Sequence, residues 1–394
     1  MSSLDREPLD AGAIPAQLQK HVQPDAPTKM KMMAARGMLP APPEQMILVL
    51  YQLSFDNNKD VQKAVRGALK DMPPNVLVPA VGKTQFEGVL DWIGRVRADE
   101  DEIGEAVATN KATHDETIAR LARNAGKNLA DIIATNQVRI LRTPKIIEAL
   151  YQNPEVGSAT IDRLLELAQR EDVELKGLPG VQQALKSGQD IFKGGGGDNP
   201  EFEKLLKQEA KRAEKEDEKF ARLEDEDLTR SQREKLRDEL EAEAEEGEDG
   251  AAAEEDNRPM RVKIQDMSIS DKIRLATVGS REAVKLLVSD TNKLVHMAAI
   301  QSPRIKPADI KKFASNRALP DGVIEYIAGN RDWTQKYDVT KALVLNPKTP
   351  LRDTLKFLKH LRADDLRKVS RSRDIPHQVS RSADSLLKKR RGSR

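Results

Sequence analysis

The closest approach to a nucleotide-binding motif is Val81-Gly82-Lys83-Thr84. A phosphate loop needs a glycine five residues before its Gly-Lys pair, so that the backbone can wrap a phosphate. Position 77 is Leu77, and Pro79 falls inside the would-be loop. The segment therefore reads as a polar turn between helices. Gly194-Gly195-Gly196-Gly197 has no strand before it and no Lys-Ser/Thr after it, so it reads as a flexible joint.

Metal and acid–base chemistry fare no better. The five histidines are His21, His114, His296, His360 and His377. None is four residues from another, and no His-Glu-x-x-His occurs, so surface or capping roles outweigh ligation. Asp99-Glu100-Asp101-Glu102 is contiguous and reads as solvated, without the burial that moves a carboxylate's pKa. There is no Gly-x-Ser-x-Gly elbow, and with no cysteine there is neither a thiol nucleophile nor a disulfide. The expectation is a non-enzyme with no catalytic residue, cofactor or metal.

What remains is binding by cations. Residues 352–394 hold 14 Lys/Arg against 5 Asp/Glu, ending in Lys388-Lys389-Arg390-Arg391-Gly392-Ser393-Arg394. Such a field attracts polyanions. The candidate partner-binding residues are Arg317, Arg331, Trp333, Arg352, Lys356, Lys359, Arg367 and Arg371. The arginines offer planar donors to carboxylates. Few aromatics accompany them, which disfavours stacking on single-stranded bases. No cationic amphipathic helix with bulky aromatics argues for membrane insertion.

The elements that must carry these residues are short helices. The chain has 394 residues, 38% hydrophobic, 33% charged and only 3% aromatic. Its net charge of +2 conceals −2 over residues 1–197, −12 over 198–258 and +16 over 259–394. Ala108-Thr109-Asn110, Ala134-Thr135-Asn136 and Gln152-Asn153-Pro154 each follow a short apolar-periodic segment. So do Gln301-Ser302-Pro303, Ser315-Asn316-Arg317, Gly329-Asn330-Arg331 and Leu345-Asn346-Pro347, spaced by 14, 14 and 16 residues. That spacing holds one helix of about ten residues plus a turn. Asn tolerates the left-handed conformation that ends helices, and a following Pro forbids continuation. Thr349 is placed to cap a helix opening at Pro350, and Thr113-His114-Asp115-Glu116 reads as a capping box. Trp92 and Trp333 sit in helical patterns as core or half-buried anchors. No period-2 strand occurs. Leu50–Val61 and Leu286–Val295 share a helix, an Asp-x-Asn-Lys turn and a second helix, which suggests a duplication.

From Glu201 to about Glu246 the composition favours a solvent-exposed helix that frays. Asp238–Asp256 holds 11 acidic and no basic residues and reads as disordered. The expected organisation is a loose leader (1–30), an N-terminal helical-repeat domain (31–193), a Gly-rich then acidic linker (194–260) and a basic C-terminal helical-repeat domain (261–390). The acidic linker can fold back over the basic domain and screen it until a partner competes.

Val344-Leu345-Asn346-Pro347-Lys348-Thr349-Pro350, with the Asp-x-Asn turn before it, resembles bacterial variant leucine-rich repeat and HEAT-like α-solenoid proteins. The resemblance spans residues 43–170 and 265–390. It implies a curved all-α scaffold that binds macromolecules, and it supplies no catalytic residue. The expected function is a cytoplasmic scaffold or adaptor for protein partners. The alternative is phosphate-backbone binding to nucleic acid through residues 352–394.

Overall fold

The computed structural model describes residues 7–97, 100–187, 199–223, 259–372 and 374–392, and among these every regular element is helical. The fold is all-α, as the spacing requires. Contacts group the chain into two units, Met1–Gly177 and Leu178–Arg394. Gly194–Gly197 and Asp238–Asp256 lie outside the described residues.

In the first unit, two short turns precede α1 (Thr28–Ala35), α2 (Pro43–Leu53), α3 (Lys59–Asp71), α4 (Pro74–Lys83), α5 (Glu87–Val96) and α6 (Asp101–Thr109). Next come α7 (Asp115–Asn124), α8 (Lys127–Thr135), α9 (Gln137–Arg142), α10 (Lys145–Gln152) and α11 (Ser158–Arg170). Helices two places apart pack on each other: α2 on α4, α4 on α6, α6 on α8, and likewise α3 on α5 and α5 on α7; with short α9 inserted, α7 packs on α10, three places on. Each helix is thus too short to bury its apolar stripe alone and shares it with the pair before and the pair after. Residues expected as a loose leader are in part packed. Ile14 and Leu18 are buried, and the Tyr51 hydroxyl donates to the Glu7 carbonyl at 3.0 Å.

The second unit contains α12 (Pro179–Lys186), α13 (Pro200–Leu223), α14 (Met260–Gln265), α15 (Ile269–Val278), α16 (Arg281–Leu287) and α17 (Lys293–Ile300). It continues with α18 (Pro307–Ser315), α19 (Asp321–Gly329), α20 (Arg331–Thr334), α21 (Tyr337–Leu345), α22 (Leu351–Leu358), α23 (Ala363–Arg371) and α24 (His377–Gly392). Here α15 packs on α17, α17 on α19, α18 on α21 and α23 on α24. Two segments differ from their sequence reading. α12 groups with the second unit rather than the first. α13 is no exposed rod over its described side chains: Phe202, Leu205, Leu206, Ala210 and Ala213 are buried and the helix lies on α15. The heptad test misses it because a helix lying on one flank of a unit needs only a single narrow stripe.

The asparagines that mark the turns do not take the left-handed conformation. Asn110, Asn153, Asn316, Asn330 and Asn346 all have extended backbone, with φ between −66° and −90°. Their side chains supply the reason for their choice. Asn346 Oδ1 accepts from the Lys348 N–H at 3.1 Å while Nδ2 donates to the Ala314 carbonyl at 2.9 Å, 32 residues back. Asn110 accepts from Ala112 N–H and donates to the Val81 and Thr84 carbonyls; Asn153 accepts from Glu155 N–H and donates to those of Ala122 and Ala125. One amide thereby closes its own turn and satisfies helix-end carbonyls one helix pair earlier. The threonines three residues on are part of the same device and do not cap. Thr113 Oγ1 donates to Val107 O at 2.5 Å and Thr349 Oγ1 to Leu343 O at 2.6 Å. His114 Nδ1 caps α7 in place of Thr113, and α22 begins after Pro350 rather than at it.

Candidate functional site

Charged pairs repeat the same 27–29-residue register, so the first question is which ions are structural. Asp91 is fully buried, and its carboxylate accepts from Arg95 (2.7 Å), Thr117 (2.8 Å) and Arg120 (2.7 Å). Burial pushes this carboxyl up, but those three donors outweigh it and hold it below the usual carboxylate range. Asp309 in the second unit is built alike. Arg281 grips it with two bonds of 2.9 Å, Lys285 lies at 3.4 Å, and the net effect is again downward against burial. Asp365 accepts from Tyr337 at 2.5 Å and pairs with Lys341 at 2.8 Å, and the Lys341 bond holds it low. These carboxylates are ionised and saturated with donors, so none is available as an acid or base.

The Asp-x-Asn turns are equivalent in detail. Asp56 accepts from Asn58 N–H and Asp290 from Asn292 N–H, at 2.8 and 2.7 Å. Six residues after each aspartate, a side chain bonds its carbonyl: Gln62 Nε2 at 2.7 Å and His296 Nδ1 at 3.0 Å. A carbonyl only accepts, so buried His296 carries its proton on Nδ1. Its role is that of the Gln62 amide. Among the described residues no group of histidines and carboxylates is placed to hold a metal ion.

The cations expected to act together divide into three groups. Arg352, Lys356 and Lys359 lie on one face of α22, Arg367 and Arg371 on one face of α23, and both helices pack on α24. Arg317 is drawn to the turn after α23 by Asp374 at 3.0 Å. Lys356 and Arg367 bond acids of their own helices, Asp353 and Asp364, both at 2.7 Å. Arg331 and Trp333 stand apart on α20. Trp333 is half-buried, edge-on to Tyr326 at 5.8 Å, and no side-chain bond among the described residues joins it to the other six. Arg352, Lys359 and Arg371 are exposed and uncommitted to any carboxylate among the described residues. Arg331 is in the same state on α20.

One concavity of the first unit was not read from the sequence. It is an open cleft of about 1140 Å³ between α4 and α6. Asn75, Val78, Pro79 and Gly82 form one wall and Glu102, Glu105, Ala106 and Thr109 the other, each set at the i, i+3, i+4, i+7 spacing of a single helix face. Pro79 has no N–H, so the Asn75 carbonyl lacks its i+4 intrahelical donor. Lys83 and Lys111 stand at one end. The Val81–Thr84 segment, weighed above for phosphate binding, is the last turn of α4, and its Val81 carbonyl is taken by Asn110. A Pro inside a helix whose neighbours are otherwise apolar was the available signal, and it gives no hint of the opposite wall.

Comparison with family models, with curated proteins and with solved structures finds no match. No helix among the described residues is long and apolar enough to cross a membrane.

Proposed function

We propose that the protein is a non-enzymatic scaffold or adaptor of the cytoplasm that holds segments of partner proteins on the exposed faces of stacked helix pairs, in the manner of HEAT-like α-solenoids. The cleft between α4 and α6 carries this reading. It is open, walled by faces of two helices that carry Val78, Pro79, Gly82 and Ala106, and lined by two lysines and two glutamates. That combination suits an extended peptide, whose N–H groups require acceptors and whose side chains require shallow apolar contact.

The test is selection of displayed random peptides on the full chain, followed by titration against the Val78→Glu, Ala106→Glu double variant. Both positions are half-buried on the cleft walls, so the stack is retained. Selected peptides are expected to lose at least tenfold in affinity on the variant. Equal affinity for both proteins, or no enrichment at all, refutes the reading.

A second reading has its own observation: Arg352, Lys359 and Arg371 are exposed and, among the described residues, paired with no carboxylate, on helices that share one support, α24, which itself presents Lys388 and Lys389. Phosphate contact by these groups gives binding to random duplex DNA that falls steeply with salt. Absence of binding at low salt removes it.

A further inference from the structure

The described part of α13 steps along one face through Phe202, Leu205, Leu206, Glu209, Ala210, Ala213, Glu216 and Asp217. Its apolar members are buried on the second unit, and so is Glu209, at 1% exposure. Glu209 accepts from the Ser280 hydroxyl and from Arg212, and Glu216 accepts from the Arg281 N–H at 3.1 Å. Asp217 pairs with Arg304, which also donates to the Ala213 carbonyl at 3.4 Å.

Carboxylates on a covered face are costly unless each meets a donor, and here each does. Two of those donors are positioned by bonds within the second unit. Ser280 caps α16 through Ala283 N–H, the Arg281 guanidinium is held by Asp309, and α15 packs on α16 and α17. The donors are therefore set in place by the unit itself and offered to an acidic helix from outside.

We propose that this face of the second unit is a docking site for an acidic amphipathic helix of a partner protein, with α13 as its built-in occupant. The partner helix carries large apolar residues at i and i+3 or i+4, small ones at i+8 and i+11, and carboxylates at i+7 and i+14 or i+15, the pattern set by Phe202 through Asp217. Binding exchanges one helix for the other, and the tether makes the internal competitor effective at high local concentration. The proposal rests on the scaffold reading, but its test needs no partner, so its failure leaves the α4–α6 cleft as a binding site untouched.

Native-state hydrogen exchange on the full chain gives the first measurement. The amides of 203–217 are expected to open together, at least tenfold more often than those of α15 and α17. Protection equal to α15 and α17 overturns the proposal. The second measurement titrates a fluorescent peptide of residues 200–218 into the full chain. One peptide binds per chain, at least tenfold more tightly to the Leu206→Ala chain, whose own helix is weakened. On the Arg304→Glu chain a peptide with Asp217→Arg binds at least tenfold more tightly than the unaltered peptide, and equal affinity of the two overturns the proposal. No saturable binding, or global loss of helicity in Leu206→Ala, shows α13 to be a fixed core element and ends the proposal.

Discussion

Asn346 illustrates how much one amide does in this chain. It is 2% exposed, fills its acceptor from Lys348 N–H, and directs its donors at the carbonyls of Ala314 and Asn316. Asn346→Ala leaves those groups without a partner, at a cost of about 1–3 kcal/mol. Asn346→Asp keeps the acceptor but faces two carbonyls with a carboxylate, so it costs more. Thermal unfolding of the three proteins is expected in the order wild type, Ala, Asp, and an Asp variant as stable as wild type contradicts the account. His296 gives the converse case. Because Gln62 makes the same bond in the first unit, His296→Gln should melt within a degree or two of wild type, whereas His296→Ala should lose several degrees by opening a cavity and freeing the Asp290 carbonyl.

At the scale of elements, α12 meets the backbone of α17 closely. A Cβ added at Gly180 would lie 2.8 Å from both Ala298 Cα and Ala298 Cβ, so the helices must separate to admit it. Gly180→Ala is expected to destabilise by roughly 1–3 kcal/mol and to deprotect the amides of α12. At Gly329 nothing lies within 4 Å of an added Cβ, and Gly329→Ala should be neutral or stabilising by up to about 1 kcal/mol. Equal effects at the two positions would mean that the approach is not the determinant. These elements also mark what sequence could reveal. The 14–16-residue spacing of Ser302, Asn316, Asn330 and Asn346 locates single helices well, since a turn must recur wherever a short helix stops. It does not expose the doubled period, because the spatial neighbour is two helices away and the bond from Asn346 to Ala314 leaves no mark at Ala314. The conformation of those asparagines was misread for the same reason: their partner is remote, and a local rule saw only the turn. The α4–α6 cleft is invisible in the sequence because each wall taken singly is an ordinary amphipathic face. The covered face of α13 is obscured by its carboxylates, which look solvated until Ser280 and Arg281 are found beside them.

Over the whole molecule the ionised groups set opposite responses to acid. Asp91, Asp115, Asp309 and Asp365 have carboxyls held below the ordinary 3.8 by their Arg, Lys, Thr and Tyr partners. A depressed folded value gives stability that is present above the unfolded value and lost as pH falls through the folded one. Both stacks should therefore keep their full stability from pH 7 down to about pH 4 and lose it steeply below. Asp309→Asn should remove part of that loss and lower stability at pH 7 by on the order of 2 kcal/mol, by leaving Arg281 and Lys285 unmatched. Glu216 runs the other way. Burial pushes its carboxyl above the ordinary 4.5 against the pull of the Arg281 N–H, Arg304 and Arg281, and Glu209 adds to the rise. A raised folded value means that the stabilisation is whole below 4.5 and disappears as pH climbs through the folded value. The contact of α13 should thus tighten as pH falls from 7 toward 4.5, while the stacks do not change. Exchange protection of residues 203–217, corrected for intrinsic rates and compared with that of α15 and α17, measures the difference. Substitution Glu216→Gln should flatten the pH response of α13 and leave that of the stacks intact, and protection that falls in parallel for all three helices would show that no separate group governs α13.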